Sequence, residues 1–557
     1  MVRSIPPTPR AGTPDLPAVP PLVQYLILHF LPAILAWIET LLLRLVVWRC
    51  RDHPLVQIAQ WYDPAPVVTA CQAYYHAPGT KGATPTYPID QLVRAWADSC
   101  SDRDLEWHLL ANLVVRWFVG LSLLAPVPDH TTLARFHAWL TQHQPAALFY
   151  DVLAFLDRVD PEAAATTPQI IDTFALQTPA AWAPRVANLL LDLCADLIAA
   201  WQHHAPPMLQ WALPPLDLGP IHHPPRPRDA IERQALLLQA VALAQRLQAD
   251  LTPHLPALPT AARVPITRLT AALRKVLADE LQFDAAGYAT ERTEKGDYRI
   301  ISATDLEATF RKHDDDLTLG YNVALATTAS RIRAVVAATG ATPDNEAPIL
   351  LLRQQQAAAL PLPPYFIMDR AGGWGKCRAR TDVVSGGQTQ MVALIPPGGG
   401  ADPDRFSPAA FQVDPDRTRC TCPHGVSSTK AYASQDGDGV HFRFLASQCR
   451  GCPLWDRCRG VDGNPKGHRT VFVSDYHAYL RQAAAFNQTP EGQALLGQRW
   501  RVEPTIAWLT RYQGCRRARR VGQAAAQCQL FQACAVRNLL LWLSRVACGR
   551  ARVPAAV

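Results

Sequence analysis

The sequence predicts an α/β fold in which a mixed sheet with helices follows an all-helical N-terminal domain. Three observations support this. Most of residues 22–160 have apolar side chains at helical spacing. Short apolar strands then alternate with helices between residues 165 and 400. Two tracts of different composition interrupt this pattern: an Ala-, Leu- and Gln-rich helical insertion at about 181–300 and a small Cys-rich, zinc-type insertion at 401–470.

The N-terminal part is expected to begin with a disordered tail and to continue as helices. Residues 1–21 are rich in proline, which opposes a packed core. An apolar helical segment is predicted over 22–80, a Pro/Gly/Thr-rich linker over 76–88 and a helical domain over 85–160. In that domain Ser101–Asp104 is expected to cap one helix, and Asp129 or Thr131 is a plausible N-cap of another. Two short helices joined by a Gly/Pro turn fit a helix-turn-helix DNA-binding domain or an ordinary helical bundle, and the pattern does not separate the two.

The run Leu22–Trp48 is apolar and long enough to suggest a membrane span. It contains Glu39 and Arg44, and charges near the middle of a bilayer are costly. A buried or partner-facing helix is therefore favoured, and the membrane-associated alternative stays open.

Composition bounds the function only loosely. The 557-residue chain has 54 Lys and Arg against 47 Asp and Glu, a net charge of +7, which alone argues weakly for nucleic acid. Its 14 cysteines are spread along the chain, and the start lacks a basic segment followed by a short apolar core. A secreted, disulfide-rich protein is therefore not expected.

The catalytic part is predicted to be built from short strands with helices between them. A helix is expected over 348–359, and residues 471–557 are expected to form the C-terminal helical part. The predicted strands are 168–172, 320–327, 332–339, 365–368 and 390–395.

Three carboxylates lie in settings that suit a two-metal site. Asp172 is expected at the end of one strand and Asp369 directly after another, while Glu503 lies in a basic helical stretch. Carboxylate oxygens are the ligands that Mg²⁺ prefers, and a metal pair can activate an oxygen nucleophile in phosphodiester displacement. Each Asp could instead be a turn or cap residue, and Glu503 could be the helical partner of Arg499 four residues earlier.

Arginines cluster beside Glu503. Between residues 501 and 520, Glu503 is the only acid. Clustered arginine next to a metal-binding carboxylate supplies counter-charge for a DNA backbone. A solvated basic helix face is the alternative. The arginines are Arg501, Arg511, Arg516, Arg517, Arg519 and Arg520.

A second constellation is built from cysteines. The preferred ligand set for a structural Zn²⁺ is Cys422, Cys449, Cys452 and Cys458, in which Cys449 and Cys452 have the C-x-x-C spacing of a tetrahedral site. Free thiols or an iron–sulfur cluster are the alternatives. The residues that could replace one of the four are Cys420, His424 and His441.

The order of these parts resembles the bacterial DDE transposases of insertion sequences, which have an RNase H-like catalytic fold. It is most similar to the group with a helical N-terminal domain and a Cys-containing insertion. The resemblance covers roughly residues 85–545. Its strongest blocks are residues 127–136, 302–308, 320–325, the strand before Asp369, the Cys-rich insertion, Arg499–Glu503 and 514–519.

The resemblance implies an activity and its residues. Asp172, Asp369 and Glu503 would form the DDE triad and bind two Mg²⁺ or Mn²⁺ ions, and Arg499 would contact the end of the mobile element. The partners would be DNA, as terminal inverted repeats and target DNA, and a second copy of the chain, in the bacterial cytoplasm at the nucleoid. A catalytically inactive DNA-binding derivative is the alternative, and a nuclease that never joins strands is a closer one.

Overall fold

The computed structural model describes most of the chain. The predicted tail at residues 1–20 and the core of the predicted linker at 77–86 lie outside the described residues. The described ranges are 21–76, 87–95, 100–161, 167–213, 226–313, 316–396, 405–406, 408–435, 437–460, 463–464 and 466–553.

The described residues of the N-terminal region form helices joined by short turns and loops. Predicted caps form at two of its helices: the Ser101 side chain accepts a hydrogen bond from the amide of Asp104, and Asp129, rather than Thr131, accepts from the amide of Thr132. The helices are α1 (Pro21–Arg49), α2 (Pro54–Trp61), α3 (Ala65–Cys71), α4 (Ile89–Arg94), α5 (Asp102–Ala111), α6 (Leu113–Val119), α7 (His130–His143) and α8 (Ala147–Val159).

Helix α1 keeps many of its apolar side chains in solvent. Trp37 is 66 % exposed and Leu45 is 58 % exposed. The helix is tied to the rest of the chain by Glu39, whose carboxylate accepts a hydrogen bond from the amide of Leu123. The expectation of a buried helix is therefore wrong within this chain, and the partner-facing alternative stays a prediction. Among the described residues, no helix is long and apolar enough to cross a membrane.

The central sheet is mixed. Its strands are ordered β4-β5-β1-β7-β8, and β6 pairs with β5 as well. Strand β1 is antiparallel to β5 and parallel to β7, which is parallel to β8. The strands are β1 (Gln169–Gln177), β4 (Thr309–His313), β5 (Asp316–Thr327), β6 (Ile332–Thr339), β7 (Tyr365–Ile367) and β8 (Gln390–Val392).

Strand β1 is longer than predicted. It continues past Asp172 to Gln177, because residues 170–177 pair without a break against 320–327 of β5. Phe174 and Leu176 are buried on one face of this extension, and alternation of buried side chains is what a paired strand requires. Asp172 therefore lies inside a strand, and the prediction that the strand ends there is wrong.

Helices lie between the strands of the sheet and after it. Helices α9 (Val186–His204), α10 (Ala230–Leu251) and α11 (Thr260–Glu280) follow β1 and surround a core of their own that includes Trp201 and Leu247. A small hairpin, β2 (Leu281–Phe283) with β3 (Ala289–Glu291), extends this helical region. The later helices of the catalytic part are α12 (Ala347–Ala357) and α13 (Gly375–Ser385).

The Cys-rich region forms two small antiparallel sheets around a minor core. One sheet has the order β11-β10-β9 and the other β12-β13-β14. The core contains Phe411, Phe442 and Phe444. The elements are β9 (Gln412–Val413), β10 (Cys420–Thr421), β11 (Ser427–Ser428), β12 (Ala431–Ala433), β13 (Gly439–Phe444), α14 (Ala446–Cys449), α15 (Trp455–Arg459) and β14 (Arg469–Ser474).

The C-terminal helices return to the sheet and to the N-terminal region. They are α16 (His477–Asn487), α17 (Pro490–Leu496), α18 (Glu503–Tyr512) and α19 (Gln523–Ala547). Helix α19 packs against β6 and against α8, where the rings of Phe155 and Trp542 meet edge to face at 5.4 Å. The N-terminal helices, the sheet and the C-terminal helices thus share one apolar core.

Candidate active site

Asp172 lies on strand β1, just past the point where β1 stops pairing with its neighbour β7. Strand β7 pairs with β1 only at Gln169 and Ile170. Beyond this point the described chain meets the same edge again only at Gln177, which forms a bridge with Arg517. The short β7 therefore leaves a gap in the sheet, and Asp172 stands at its start.

Asp369 lies beside Asp172 because of the parallel register. Ile170 is level with Ile367, so that Asp172 and Asp369, each two residues further on, leave the paired region at the same height. Asp369 directly follows the Tyr365–Ile367 strand and Met368, as predicted. Its side chain accepts a hydrogen bond from the amide of Ala371 at 2.9 Å and thereby caps a short 3₁₀ turn.

The loop after Asp369 is held in place by a close backbone contact at Gly373 and by the buried side chain of Arg378. A Cβ added to Gly373 would lie 2.0 Å from the carbonyl oxygen of Leu394, so no side chain fits there. The buried Arg378 guanidinium donates to the carbonyl oxygens of Gly373, Met391 and Ala393 at 3.2, 2.5 and 2.7 Å. The turn that carries Asp369 is therefore fixed against the end of β8.

The electrostatics of Asp172 indicate a crowded carboxylate site. Burial raises the pKa of Asp172, and the nearby carboxylates of Asp369 and Asp344 raise it further. The amide of Thr173, which donates to Asp172 Oδ1 at 2.8 Å, and the charge of Arg499 lower the pKa of Asp172. A partly buried acid beside other acids is stabilised as the anion by a bound cation.

Glu503 is the first residue of helix α18 and faces the same cleft. A cleft of about 620 Å³ is lined by Asp172 and Glu503, together with the arginines Arg511 and Arg516. Glu503 is paired with Arg499, whose Nη2 lies 3.2 Å from Glu503 Oε1. The helical ion pair predicted as the alternative for Glu503 is thus present, and its acidic member lines the cleft.

A polar network adjoins Asp172, and no sequence motif marks its residues. The hydroxyl of Thr173 donates to Asp344 Oδ1 at 2.7 Å, and Asn322 Nδ2 donates to the same oxygen at 2.8 Å. Arg311 lies 3.6 Å from that oxygen and donates to Asn322 Oδ1 at 3.0 Å. Asp344 follows β6 and has no motif around it. It carries a fourth carboxylate close to the site, and one of its oxygens, Oδ1, already accepts two hydrogen bonds.

The predicted DNA-binding arginines divide into two groups. Arg511, Arg516 and Arg517 are exposed, and the first two line the cleft. Arg519 and Arg520 instead turn inward. Burial lowers the pKa of Arg519, and Arg520 forms an ion pair with Asp102 of helix α5.

Asp102 contacts His137 of helix α7 as well as Arg520. The Nδ1 atom of His137 lies 2.6 Å from Asp102 Oδ1. Burial opposes ionisation of Asp102, yet the hydrogen bond from His137 and the charge of Arg520 together lower the pKa of Asp102 to about 2. This ion-paired contact ties the segment beside the cleft to the N-terminal helices.

The four preferred cysteines come together in the Cys-rich region. Cys422, Cys449, Cys452 and Cys458 line one cavity of about 30 Å³. Burial raises the pKa of Cys449 and of Cys458, and the neighbouring thiols raise both further. The possible substitutes do not line this cavity: they are Cys420, His424 and His441.

Both sites have the donor chemistry of a metal centre without being closed around one. Among the described residues, no group of three or more His, Cys, Asp or Glu side chains has converged to metal-ligand spacing. The cleft offers carboxylate oxygens, which suit Mg²⁺, and the small cavity offers four thiols, which suit Zn²⁺. Besides burial, repulsion from neighbouring acids raises the pKa of Asp172, and repulsion from neighbouring thiols raises the pKa of Cys449. A bound cation would lower both pKa values.

Two segments of the chain match known protein families. Residues 421–541 match the family described as Transposase DDE domain, and residues 45–138 match the Transposase domain (DUF772). The resemblance to insertion-sequence DDE transposases is confirmed. A DDE domain implies an RNase H-like fold, and the mixed α/β sheet behind a helical N-terminal region agrees with it.

The DDE match contains Glu503, Arg499 and the four cysteines, whereas Asp172 and Asp369 lie outside both matched segments. The matched DDE domain indicates an enzyme of the polynucleotidyl transferase type and DNA as its partner. No curated protein and no solved structure matches the chain.

Proposed function

We propose that this chain is a DNA transposase that cleaves phosphodiester bonds at the ends of an insertion sequence and joins those ends to target DNA. Asp172, Asp369 and Glu503 are the proposed catalytic triad. The observation that carries the proposal is the cleft at the gap in the sheet. It brings a strand carboxylate and the glutamate of the matched DDE domain together, with arginines on its rim.

The three carboxylates would hold two Mg²⁺ or Mn²⁺ ions. Two such ions, when bound, activate the attacking oxygen and stabilise the leaving oxygen of an in-line displacement. The residues contribute to this in different ways. Asp172 and Asp369 are presented by the strand register, and Glu503 approaches from helix α18. Glu503 must exchange its ion pair with Arg499 for the metal site, which frees that guanidinium for a DNA phosphate.

The proposed reaction has two displacements. In the first, the oxygen of water bonds to the phosphorus at the element end, the bond from phosphorus to the 3′ oxygen breaks, and the 3′ oxygen takes a proton. In the second, this 3′-hydroxyl loses its proton and bonds to a phosphorus of target DNA, and a target 3′ oxygen leaves. Arg511 and Arg516 line the cleft where the phosphate charge would lie.

The Cys-rich region is proposed to bind one structural Zn²⁺ through Cys422, Cys449, Cys452 and Cys458. The support is that all four thiols line the same small cavity, next to a core of only a few apolar side chains. A small domain with so little apolar core commonly depends on a metal for its fold.

The proposed assembly is a homodimer on DNA at the bacterial nucleoid. Terminal inverted repeats present two related DNA ends, which a two-fold symmetric dimer can hold together. The exposed apolar helix α1 is compatible with a partner-facing role, as the sequence predicts.

A strand-cleavage assay tests the proposal. Purified protein is incubated with the DNA that flanks this reading frame, in Mg²⁺ or Mn²⁺, alongside the variants Asp172→Asn, Asp369→Asn and Glu503→Gln. We expect cleavage at the repeat ends by the parent, a joined product with target DNA, and loss of both in each variant.

Two further acids serve as matched controls. Glu491→Gln changes a glutamate on the preceding helix α17, and Asp382→Asn changes an aspartate on helix α13. Both should retain cleavage. Cleavage that persists in one triad variant removes that residue from the site. DNA binding without cleavage by the parent establishes the inactive, DNA-binding alternative, and cleavage without joining establishes the nuclease.

A further inference from the structure

The outward face of the β12-β13-β14 sheet carries a row of aromatic side chains. Tyr432 is opposite His441 in the register, and His441 is opposite Phe472, so the three side chains lie side by side on one face. Neighbouring strands are about 4.8 Å apart, which sets the spacing of the row. The rings of His441 and Phe472 are 5.1 Å apart.

This row does not belong to the apolar core of the region. The core lies on the other face of the same sheet, where Phe442, Val471 and Val473 are buried. Tyr432, in contrast, is 52 % exposed. A single exposed ring is ordinary, whereas neighbouring aromatic side chains on the solvent side of a sheet form a patch of the kind that marks an interaction site.

The ring of Phe472 lies over the neighbouring strand because Gly439, on that strand, has no side chain. A Cβ on Gly439 would lie 2.6 Å from one ring atom of Phe472 and 2.8 Å from another. Gly439 therefore lets the ring cover the backbone of the neighbouring strand. The His441 and Phe472 rings are tilted by 48° to each other and stay in contact across the two strands.

Two cations border the row on the same face. Lys430 is opposite Arg443, because the amide of Arg443 donates to the Lys430 carbonyl oxygen at 2.9 Å, and this pair is two residues along the strands from the Tyr432–His441 pair. Like charges directly opposite on a sheet repel each other. Two other arginines of the region do have acidic partners: Arg417 pairs with Asp475 and Arg419 with Asp414. In the described part of the chain, neither Lys430 nor Arg443 has an acidic partner.

We propose that this aromatic face, made of Lys430, Tyr432, His441, Arg443 and Phe472, binds single-stranded DNA by stacking unpaired bases on the row. Aromatic side chains on an open sheet face stack on unstacked bases, and adjacent cations hold the phosphates. Duplex DNA hides the faces of its bases and offers only phosphates to the two cations. The repulsion between Lys430 and Arg443 is relieved by a bound polyanion.

The inference rests on the proposed function, in which strand cleavage exposes unpaired DNA next to the cleft. The aromatic face is linked to that cleft through the chain. Strand β14 leads into Tyr476, whose Cβ lies 2.6 Å from the place where a Cβ of Gly375 would stand. Gly375 begins helix α13, six residues after Asp369. The aromatic face is thereby connected to the helix that follows the turn carrying the proposed catalytic Asp369.

Fluorescence anisotropy with a labelled 20-residue oligo(dT), and with a duplex of the same length, tests the inference. Both are measured in Ca²⁺ so that no cleavage occurs. We expect Tyr432→Ala to weaken oligo(dT) binding by about tenfold, the scale of losing one base–aromatic stack, and to change duplex binding by less than about twofold. Tyr432→Trp keeps a stacking ring and should bind oligo(dT) as tightly as the parent.

Two further variants separate stacking from charge and from general damage. The double variant Lys430→Ala with Arg443→Ala should reduce the salt dependence of oligo(dT) binding by a slope of about 1.4, since each single-strand phosphate contact contributes about 0.7. Tyr288→Ala removes an exposed tyrosine near the other hairpin, β2-β3, and should change nothing.

Several results would overturn the inference. They are parent-like oligo(dT) binding by Tyr432→Ala, an equal loss in Tyr432→Trp, or tighter binding of oligo(rU) than oligo(dT) by the parent.

Failure of the proposed function gives a different result from failure of this inference. If the parent does not cut the repeat ends but Tyr432→Ala still loses oligo(dT), the aromatic face stands without the nuclease chemistry. If the parent cuts and Tyr432→Ala binds oligo(dT) normally, only the aromatic face is lost.

Discussion

The central sheet and the Cys-rich region place their candidate ligands in opposite ways. In the sheet, eight successive residue pairs between β1 and β5 fix the height and direction of Asp172 before any ligand binds. In the Cys-rich region, the strands nearest the thiols, β9, β10 and β11, are two residues long. Backbone pairing can therefore position the aspartates, whereas the geometry of the cysteines would be defined by the proposed zinc ion. Losing a ligand should cost activity in the first region and structure in the second.

The largest expected effect is on cleavage by the sheet variant Asp369→Asn. We expect its cleavage rate to fall by more than about 10²-fold, the scale of removing one preorganised electrostatic group from an active site. The melting temperature should stay equal or rise slightly, because Asp369 raises the pKa of Asp172 by charge repulsion. Cleavage kinetics and thermal melting measured on the same preparation check both parts. A large drop in melting temperature would show that Asp369 has a structural role instead.

The next effect separates the Cys-rich region from the sheet. Cys452→Ser should lose the bound Zn²⁺ and the amide protection of β13, because apparent binding energies of structural zinc, about 10–16 kcal/mol, are also folding energies. The protection of β5 should not change. Zinc analysis and hydrogen exchange give the two readouts, and Cys548→Ser, an exposed cysteine outside the region, is the control. Equal zinc content in the parent and Cys452→Ser would refute the ligand assignment.

A smaller effect divides the arginines. Arg511→Ala should weaken DNA binding and lower its salt slope by about 1, as expected for one phosphate contact. Arg520→Ala should leave that slope unchanged. It should lower the melting temperature, because it leaves the partly buried Asp102 carboxylate without its ion pair. If Arg520→Ala changed the salt slope as Arg511→Ala does, its inward contact would not persist on DNA.

The smallest effect concerns pH. Burial lowers the pKa of His137, so the unfolded chain, with an ordinary value near 6.5, binds the proton more readily. Stability should therefore fall as the pH drops below about 6.5, by up to about 1.4 kcal/mol per pH unit from this residue. Asp102 contributes to stability in a lower pH range. Because its pKa is lowered in the folded chain, it stabilises the fold above about pH 3.9, and this stability is lost as the pH falls toward 2.

Urea unfolding between pH 8 and pH 5 measures the His137 contribution. The variant His137→Gln retains a donor for Asp102 but cannot take up the proton. Its stability should depend less on pH than that of the parent over this range. Parallel curves for the two proteins would show that His137 does not supply the pH dependence.

The sequence was most informative where local patterns decide the structure. The strand at 332–339 and the caps at Ser101 and Asp129 form as predicted, because apolar alternation and side-chain capping are local effects. The end of β1 was misplaced, since the pairing of residues 173–177 depends on β5, which lies more than 140 residues further along the chain. Local pattern alone cannot supply such a partner.

The candidate site shows the same division. Asp369 and Glu503 are predicted as site residues because each has a distinctive sequence around it, and that role stays a prediction. Asp344 was missed, because its closeness to Thr173 arises only when β6 is added to the sheet. The inward turn of Arg520 was also missed, since its partner Asp102 is 418 residues away in the chain. Composition predicts that arginines cluster but not which of them face DNA.

Manganese binding to the parent and to two acid variants tests the central claim most directly. Bound Mn²⁺ is counted by electron paramagnetic resonance with a duplex of the repeat end present. We expect two ions per chain in the parent and in the control Asp382→Asn, and fewer in Asp369→Asn and in Glu503→Gln. Unchanged manganese binding in both triad variants would contradict a two-metal site built from these carboxylates.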